Sequence, residues 1–399
     1  MKQIIIYTLI ALYFLSCSEN RNNTTKQNTE ITIKIPETKG KTYNIDDIYS
    51  SFSYIKLNTN DSTLLRSIKK VKICDTLIFI YDRSNVFIFN KEGVFINKIN
   101  KGKGPGECLR PLNFTISPFN ELEVLDNGNT IKVYSLTGKF KRKYNLHKWD
   151  IINFEHLNDS IILLFKGRYS KTEKHLLFAY NTNKELVIKS YFTQKDYTKG
   201  LLNGGASLYN KTFQQTPEGV LLTTSLPDNN IYLIDNDLNL RIKYHINFSS
   251  KGIPDNFFTN YTKKGRKDYK KLKTADFIHT ISNFHLFHDY TKFYFTGYRG
   301  TRGNIFIGNL ENNDSIMIIN RTLIVDKIPI QPIGSMIGFY QNHVVSQIMP
   351  DILIEFFDKA KKDLSKLDFN ELITKYPFIY RLSKEVKEED NPIICFCEI

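Results

Sequence analysis

Apolar and polar positions along the chain alternate in short runs, not in helical stripes. From Leu77 to Ile99, Leu77–Tyr81, Val86–Phe89 and Val94–Ile99 are separated by Asp82-Arg83-Ser84-Asn85 and Asn90-Lys91-Glu92-Gly93. Runs of this length, rich in aromatic and β-branched residues and bounded by Asn, Asp and Gly, predict antiparallel strands joined by tight turns. Residues 122–144 repeat the grammar: Val124-Leu125-Asp126, a turn through Asn127-Gly128-Asn129, Ile131–Tyr134, then Thr137-Gly138 leading into Lys139–Tyr144. Looser copies follow at 161–192, 220–246 and 293–319. Val86, Ile131, Leu176, Ile231 and Ile305 are equivalent positions, stepping by 45, 45, 55 and 74 residues.

A period of 40 to 50 residues with three or four short strands per unit predicts a β-propeller. Each unit must stack on its neighbours before a core exists, so several close into a ring. A sixth unit is predicted from Met336–Ile348 and Ile393–Cys397, with Phe52–Leu57 as the closing strand. An open solenoid is disfavoured because its repeats are shorter. The expected fold is all-β: a six-bladed propeller over 45–399 with two insertions. The first, 251–277, is basic. The second, 351–390, is helical, with Ile352, Ile354, Phe356, Phe357, Ala360, Leu364 and Leu367 at helical spacing.

The N-terminus has a different pattern. Lys2 precedes a 12-residue apolar run, Ile4–Leu15, too short to span a bilayer but suited to a secretory signal. Leu15-Ser16-Cys17 is similar to a bacterial lipobox, which implies cleavage after residue 16 and lipidation of Cys17. Residues 18–28 carry no apolar residue, and 17–44 is expected to be a flexible tether. These features predict an anchor in the membrane and a place in the cell envelope, at the outer membrane.

Composition adds charge and aromatics. Hydrophobic residues make up 41% and charged residues 24%, which excludes a disordered chain or a polytopic membrane protein. There are 29 Phe and 23 Tyr against one Trp, a poor supply for an aromatic sugar platform. The net charge of +14 is uneven. In the basic insertion, Lys251, Lys263, Lys264, Arg266, Lys267, Lys270, Lys271 and Lys273 face only Asp255, Asp268 and Asp276. Lys263, Lys264, Arg266, Lys267, Lys270 and Lys271 form a candidate anion-binding surface for acidic glycan or phosphorylated headgroups. Nucleic acid is not expected for an exported chain. Cys74, Cys108, Cys395 and Cys397 allow three disulfide connectivities.

Lys101-Gly102-Lys103-Gly104-Pro105-Gly106-Glu107 and the repeat after it are similar to the consensus of NHL repeats. With the lipobox and the segment Glu389-Asp390-Asn391-Pro392 before a terminal apolar strand, the chain resembles the six-bladed propeller lipoproteins of gut-type anaerobic bacteria. The resemblance implies an NHL-like or TolB-like propeller and no particular activity. The loop should join the outer strand of one blade to the inner strand of the next. Lys101, Lys103, Glu107 and Arg110 are therefore candidate ligand-binding residues at the channel mouth. No catalytic residue, metal ligand or cofactor motif emerges: His285-x-x-His288 lacks the glutamate of a zinc motif, and no nucleophile elbow occurs. The expected function is a ligand-, peptide- or protein-binding module. The alternative is a hydrolase, lyase or lactonase with its site in the central channel.

Overall fold

The computed structural model describes residues 30–35, 41–146, 150–166, 174–193, 213–224, 229–253, 274, 276–299, 302–312, 314–325, 328–330 and 336–399. Strands β1 (Ile31–Lys34), β2 (Lys41–Asn44) and β3 (Ser51–Ile55) come first. Blade 1 is β4 (Lys70–Cys74), β5 (Leu77–Tyr81), β6 (Val86–Asn90) and β7 (Phe95–Ile99). Blade 2 is β8 (Pro111–Ile116), β9 (Leu122–Asp126), β10 (Thr130–Tyr134) and β11 (Phe140–Asn145). Blade 3 is β12 (Ile151–His156), β13 (Ile161–Lys166), β14 (His175–Asn181) and β15 (Leu186–Thr193). Blade 4 is β16 (Phe213–Thr216), β17 (Gly219–Leu222), β18 (Asn230–Asp235) and β19 (Leu240–Asn247). Blade 5 is β20 (Ile278–Leu286), β21 (Lys292–Arg299), β22 (Arg302–Asn309) and β23 (Ser315–Val325), with β24 (Ile328–Ile330) beside β23. Blade 6 joins β25 (Met336–Tyr340) and β26 (His343–Ile348) to the terminal β27 (Ile393–Glu398) and to β3.

Alternation along each strand sends side chains to two different blade interfaces. On β5, Ile78 and Ile80 pack with Val345, Ile394 and Phe396 of blade 6, whereas Phe79 and Tyr81 pack with Phe114, Leu122 and Val124 of blade 2. Both faces are covered, so the middle strands read as nearly unbroken apolar runs. Six apolar clusters, one at each blade interface among the described residues, close the ring. The aromatic excess lies largely here: Phe295 stacks on Phe306 at 4.6 Å, and Phe248 meets both.

Ring closure uses both chain ends. β3 pairs antiparallel with β27, from Ser51 opposite Glu398 to Ile55 opposite Ile394. β1 and β2 add as parallel outer strands to β19 and β23. The stretch expected to be tether throughout, 17–44, therefore contains two strands. Ile33 and Ile35, in alternation, are buried in the cluster between blades 4 and 5. Cys17 and residues 18–28 lie outside the described residues, as does most of the basic insertion, including Lys263, Lys264, Arg266, Lys267, Lys270 and Lys271.

The second insertion forms three helices between β26 and β27: α1 (Pro350–Asp363), α2 (Lys366–Lys375) and α3 (Pro377–Glu385). Leu353, Phe356, Phe357 and Ala360 make the buried stripe of α1. Ile352 and Leu367, expected in that stripe, are exposed. Ile352 precedes the buried Leu353 by one position, a rotation of about 100°. Pro350 and Pro377 sit in the first turns of α1 and α3, where a missing N–H costs nothing, and the Ser365 side chain caps α2.

Candidate functional site

The six innermost strands, β4, β8, β12, β16, β20 and β25, surround the ring axis, and the joint between each pair differs. Gln214 of β16 holds both the N–H and the C=O of Leu286 on β20. His285 stacks on Phe339 of β25 at 4.0 Å. Gly338 of β25 lies so close to the Val71 carbonyl that a Cβ would approach it to 2.6 Å. These three joints are tight or aromatic. The polar chemistry gathers on the other side of the ring, where β4, β8 and β12 carry polar residues at alternate positions: Lys70 and Lys72, Asn113 and Thr115, Asn153 and Glu155.

Five of those side chains form two neighbouring hydrogen-bonded sets, one around Lys72 and one around Lys70. The Lys72 Nζ donates to Glu155 Oε2 at 2.9 Å and to Thr115 Oγ1, and Thr115 donates to Glu155 Oε1 at 2.8 Å. Lys70 Nζ donates to Asn113 Oδ1 at 2.6 Å and to the Phe114 carbonyl at 2.8 Å. Both of its acceptors are neutral. Asn113, Thr115 and Glu155 are buried, while Lys72 keeps 29% of its side chain exposed. The cluster therefore sets two lysine amines against one carboxylate.

The environment sets the protonation of each group. Burial, aided by the nearby Lys72 charge and opposed by Glu155, pushes the Lys70 amine down to about 7. Burial alone would raise Glu155, but the two lysines and the hydrogen bonds from Lys72 and Thr115 hold it below the usual carboxylate range. One blade interface away from the Lys70 pair, His156 Nε2 meets Glu123 Oε2 at 3.0 Å, with both side chains 2% exposed. Burial would lower His156, yet the bond and charge of Glu123 raise it overall. Tyr144 donates to the same carboxylate, and Gln215 of β16 donates to the His156 carbonyl at 3.1 Å.

The residues singled out in the Gly-Pro-Gly-Glu loop are divided between loop structure and surface. The loop does run from the outer β7 to the inner β8. Glu107 turns its carboxylate back onto Gly104 N–H at 2.8 Å, and a Cβ on Gly102 would fall 2.0 Å from Glu107 Oε2. The Glu107 carbonyl receives Lys132, and Tyr134 donates to the Gly106 carbonyl at 2.9 Å, so this part of the loop lies over β10. Lys101, Lys103 and Arg110 are exposed. Asp126 fixes the exit from the loop by accepting from the Leu109 and Arg110 amides at 3.1 and 2.7 Å, with Lys132 at 2.9 Å. The structure does not bring these loop residues into the Lys70–Glu155 cluster, which spacing alone did not reveal. The available signal was the recurrence of polar residues at alternate positions just ahead of each repeat, with Lys72, Thr115 and Glu155 separated by 43 and 40 residues.

The cysteines are free thiols among the described residues. Cys395 and Cys397 lie side by side on β27 with sulfurs 3.4 Å apart and fully buried. Among the described residues, no group of three His, Cys, Asp or Glu is placed to hold a metal ion.

A family model described as a domain of unknown function, DUF4934, matches residues 30–398. In three dimensions the chain is similar to a Bacteroides fragilis protein inferred to be exported, at 19% identity and a TM-score of 0.70, covering 93% of this chain and 99% of that one. More distant is a protein of unknown function from Bacteroides caccae, with 10% identity, a TM-score of 0.39, and coverage of 61% and 78%. No match was found among curated proteins.

Proposed function

The chain belongs to the DUF4934 domain family, and on that footing we propose that it is an exported, lipid-anchored propeller that binds an anionic group of a small ligand or peptide beside the ring axis. The observation that carries this reading is the Lys70–Lys72 pair. Two lysine amines share one carboxylate, and Lys70 Nζ donates only to neutral oxygens, so an incoming carboxylate or phosphate would supply the counter-charge that the ammonium form of Lys70 lacks. The same observation favours binding over the hydrolase, lyase or lactonase alternative, because Glu155 and Glu123 are each already engaged by a nitrogen group and a hydroxyl.

The lipobox and apolar leader support export and lipidation at Cys17, with 1–16 as signal peptide. The Bacteroides fragilis relative, itself inferred to be exported, is consistent with a place in the cell envelope. We assign the ring, with the N-terminal strands β1 and β2 docked on it, to a single NHL-like or TolB-like propeller domain. Lys263, Lys264, Arg266, Lys267, Lys270 and Lys271 offer a second polyanion-binding surface on sequence grounds.

The binding reading is tested by thermal unfolding with succinate and with inorganic phosphate. Both should raise Tm in the native chain by several degrees near saturation, as expected for a ligand that binds only the folded state. The K70Q/K72Q variant should lose that shift. An equal shift in the variant, or none in the native chain, would overturn the reading. Lipidation is tested separately: the C17S variant should leave the membrane fraction.

A further inference from the structure

We propose that Lys70 is a nucleophilic amine that captures the carbonyl carbon of an aldehyde or ketone as a reversible imine beside the ring axis. The anionic group of that ligand rests on the binding reading above; the amine does not. A neutral amine has two N–H bonds and one lone pair. Asn113 Oδ1 and the Phe114 carbonyl accept those two N–H bonds, at 2.6 and 2.8 Å, and leave the lone pair uncommitted. The surroundings also disfavour an ammonium at this point. From its own strand Lys72 presents a positive charge, and from β12 Glu155 has both oxygens engaged by Lys72 and Thr115. β8 contributes only neutral groups, Asn113, Thr115, the Phe114 carbonyl and the Phe114 ring, whose face lies 5.2 Å from Lys70 Nζ and favours the charged form, and on the other flank β25 brings Gly338 against Val71. Burial together with the neighbouring ammonium pushes Lys70 down to about 7, so a substantial share is free amine at neutral pH. Lys72, 29% exposed, stands two residues away to receive a carboxylate on the same ligand.

The chemistry is an addition followed by loss of water. The Lys70 nitrogen forms a bond to the carbonyl carbon while the C–O π bond breaks and its oxygen takes up a proton. Nitrogen then gives up its two protons in turn, the hydroxyl takes up a second proton and leaves as water as the C–O σ bond breaks, and the nitrogen lone pair closes C=N. No electrons are exchanged with another reagent, so the step needs no oxidant or reductant.

The test uses the full chain in detergent with glyoxylate, trapping any imine with cyanoborohydride and mapping carboxymethyl groups by peptide mass spectrometry. Lys70 should be labelled about tenfold or more faster than exposed Lys101 and Lys103 at neutral pH. Its rate should level off above about 7. Glycolate, which has the carboxylate without the carbonyl, should slow labelling at Lys70. Labelling of Lys70 no faster than Lys101 and Lys103, or a Lys70 rate that does not level off above about 7, would overturn the proposal. Selective labelling that ignores glycolate would uphold the amine and remove the anion-binding reading alone.

Discussion

Glu123 and His156 show how a residue acquires a property that its type alone does not carry. Their side chains meet at 3.0 Å deep between blades 2 and 3, and Glu123 more than offsets the effect of burial, raising the affinity of His156 for its proton. A histidine that binds its proton more tightly folded than unfolded stabilises the fold below its unfolded value of 6.5, and that stability is lost as pH rises through the folded value. His156→Gln keeps a donor for Glu123 but not the charge. Urea unfolding should show the native chain ahead by about 2 kcal/mol in mild acid, with the gap closing in mild base. A gap that does not change with pH would mean that the pair acts only through hydrogen bonding. Neither this pair nor Lys70 with Glu155 was legible in the sequence. Lys72 and Glu155 lie 83 residues apart, and nothing local says that two blade repeats bring them together. A histidine among eight, or a lysine among 55 basic residues, has no mark until the topology gives it a neighbour.

At the scale of elements, the second, third and fourth strands of each blade were readable because they are short, apolar and bounded by turn residues. The innermost strands β4, β8 and β12 were not, since alternate positions carry Lys, Asn, Thr and Glu and dilute the apolar signal that marks a strand. The recurring aspartates of the repeat grammar turned out to hold connections. Asp82 accepts from Ser84 and Asn85, and Asp126 from Leu109 and Arg110. The Glu-Asp-Asn-Pro segment is also structural. Buried Asn391 accepts from Leu65 N–H at 2.8 Å and donates to the Asn58 and Thr63 carbonyls at 2.9 Å each, clasping the β3–β4 connection to the far end of the chain. Asn391→Ala strands one buried amide and two carbonyls, so a loss of about 3 kcal/mol is expected in denaturant unfolding. A loss under about 0.5 kcal/mol would show that water or local rearrangement replaces the clasp. In the Gly-Pro-Gly-Glu loop, Gly102→Ala forces Glu107 off the Gly104 amide and should increase proteolytic cutting between 101 and 108, with little change in anion binding.

The whole molecule is a ring whose blades are not equally finished. Blades 1, 2 and 3 end in outer strands β7, β11 and β15, which have no partner strand on their outer side among the described residues, and β11 guards its edge with Lys141, Arg142 and Lys143. Blades 4 and 5 are instead overlaid by β1 and β2, and β3 supplies the outer strand of blade 6 itself, so one N-terminal segment serves half the ring. This arrangement is only partly legible in the sequence: Phe52–Leu57 reads as a closing strand, but the shorter runs before it read as tether. Their strand character comes from a docking edge supplied by residues some 200 positions away, with Ile31 opposite Tyr244 and Ile33 opposite Ile246. A chain shortened to begin at Lys41 would lose β1 and the buried Ile33 and Ile35, each contributing roughly 1.5–3 kcal/mol of burial. If blades keep separate local stabilities within the ring, hydrogen exchange should speed up at β19 and the blade 4–5 interface, while β5 and β6 keep their protection. If protection instead falls evenly around all six blades, the ring opens as one unit, and β1 would act as part of the closure, not as a cover for one edge.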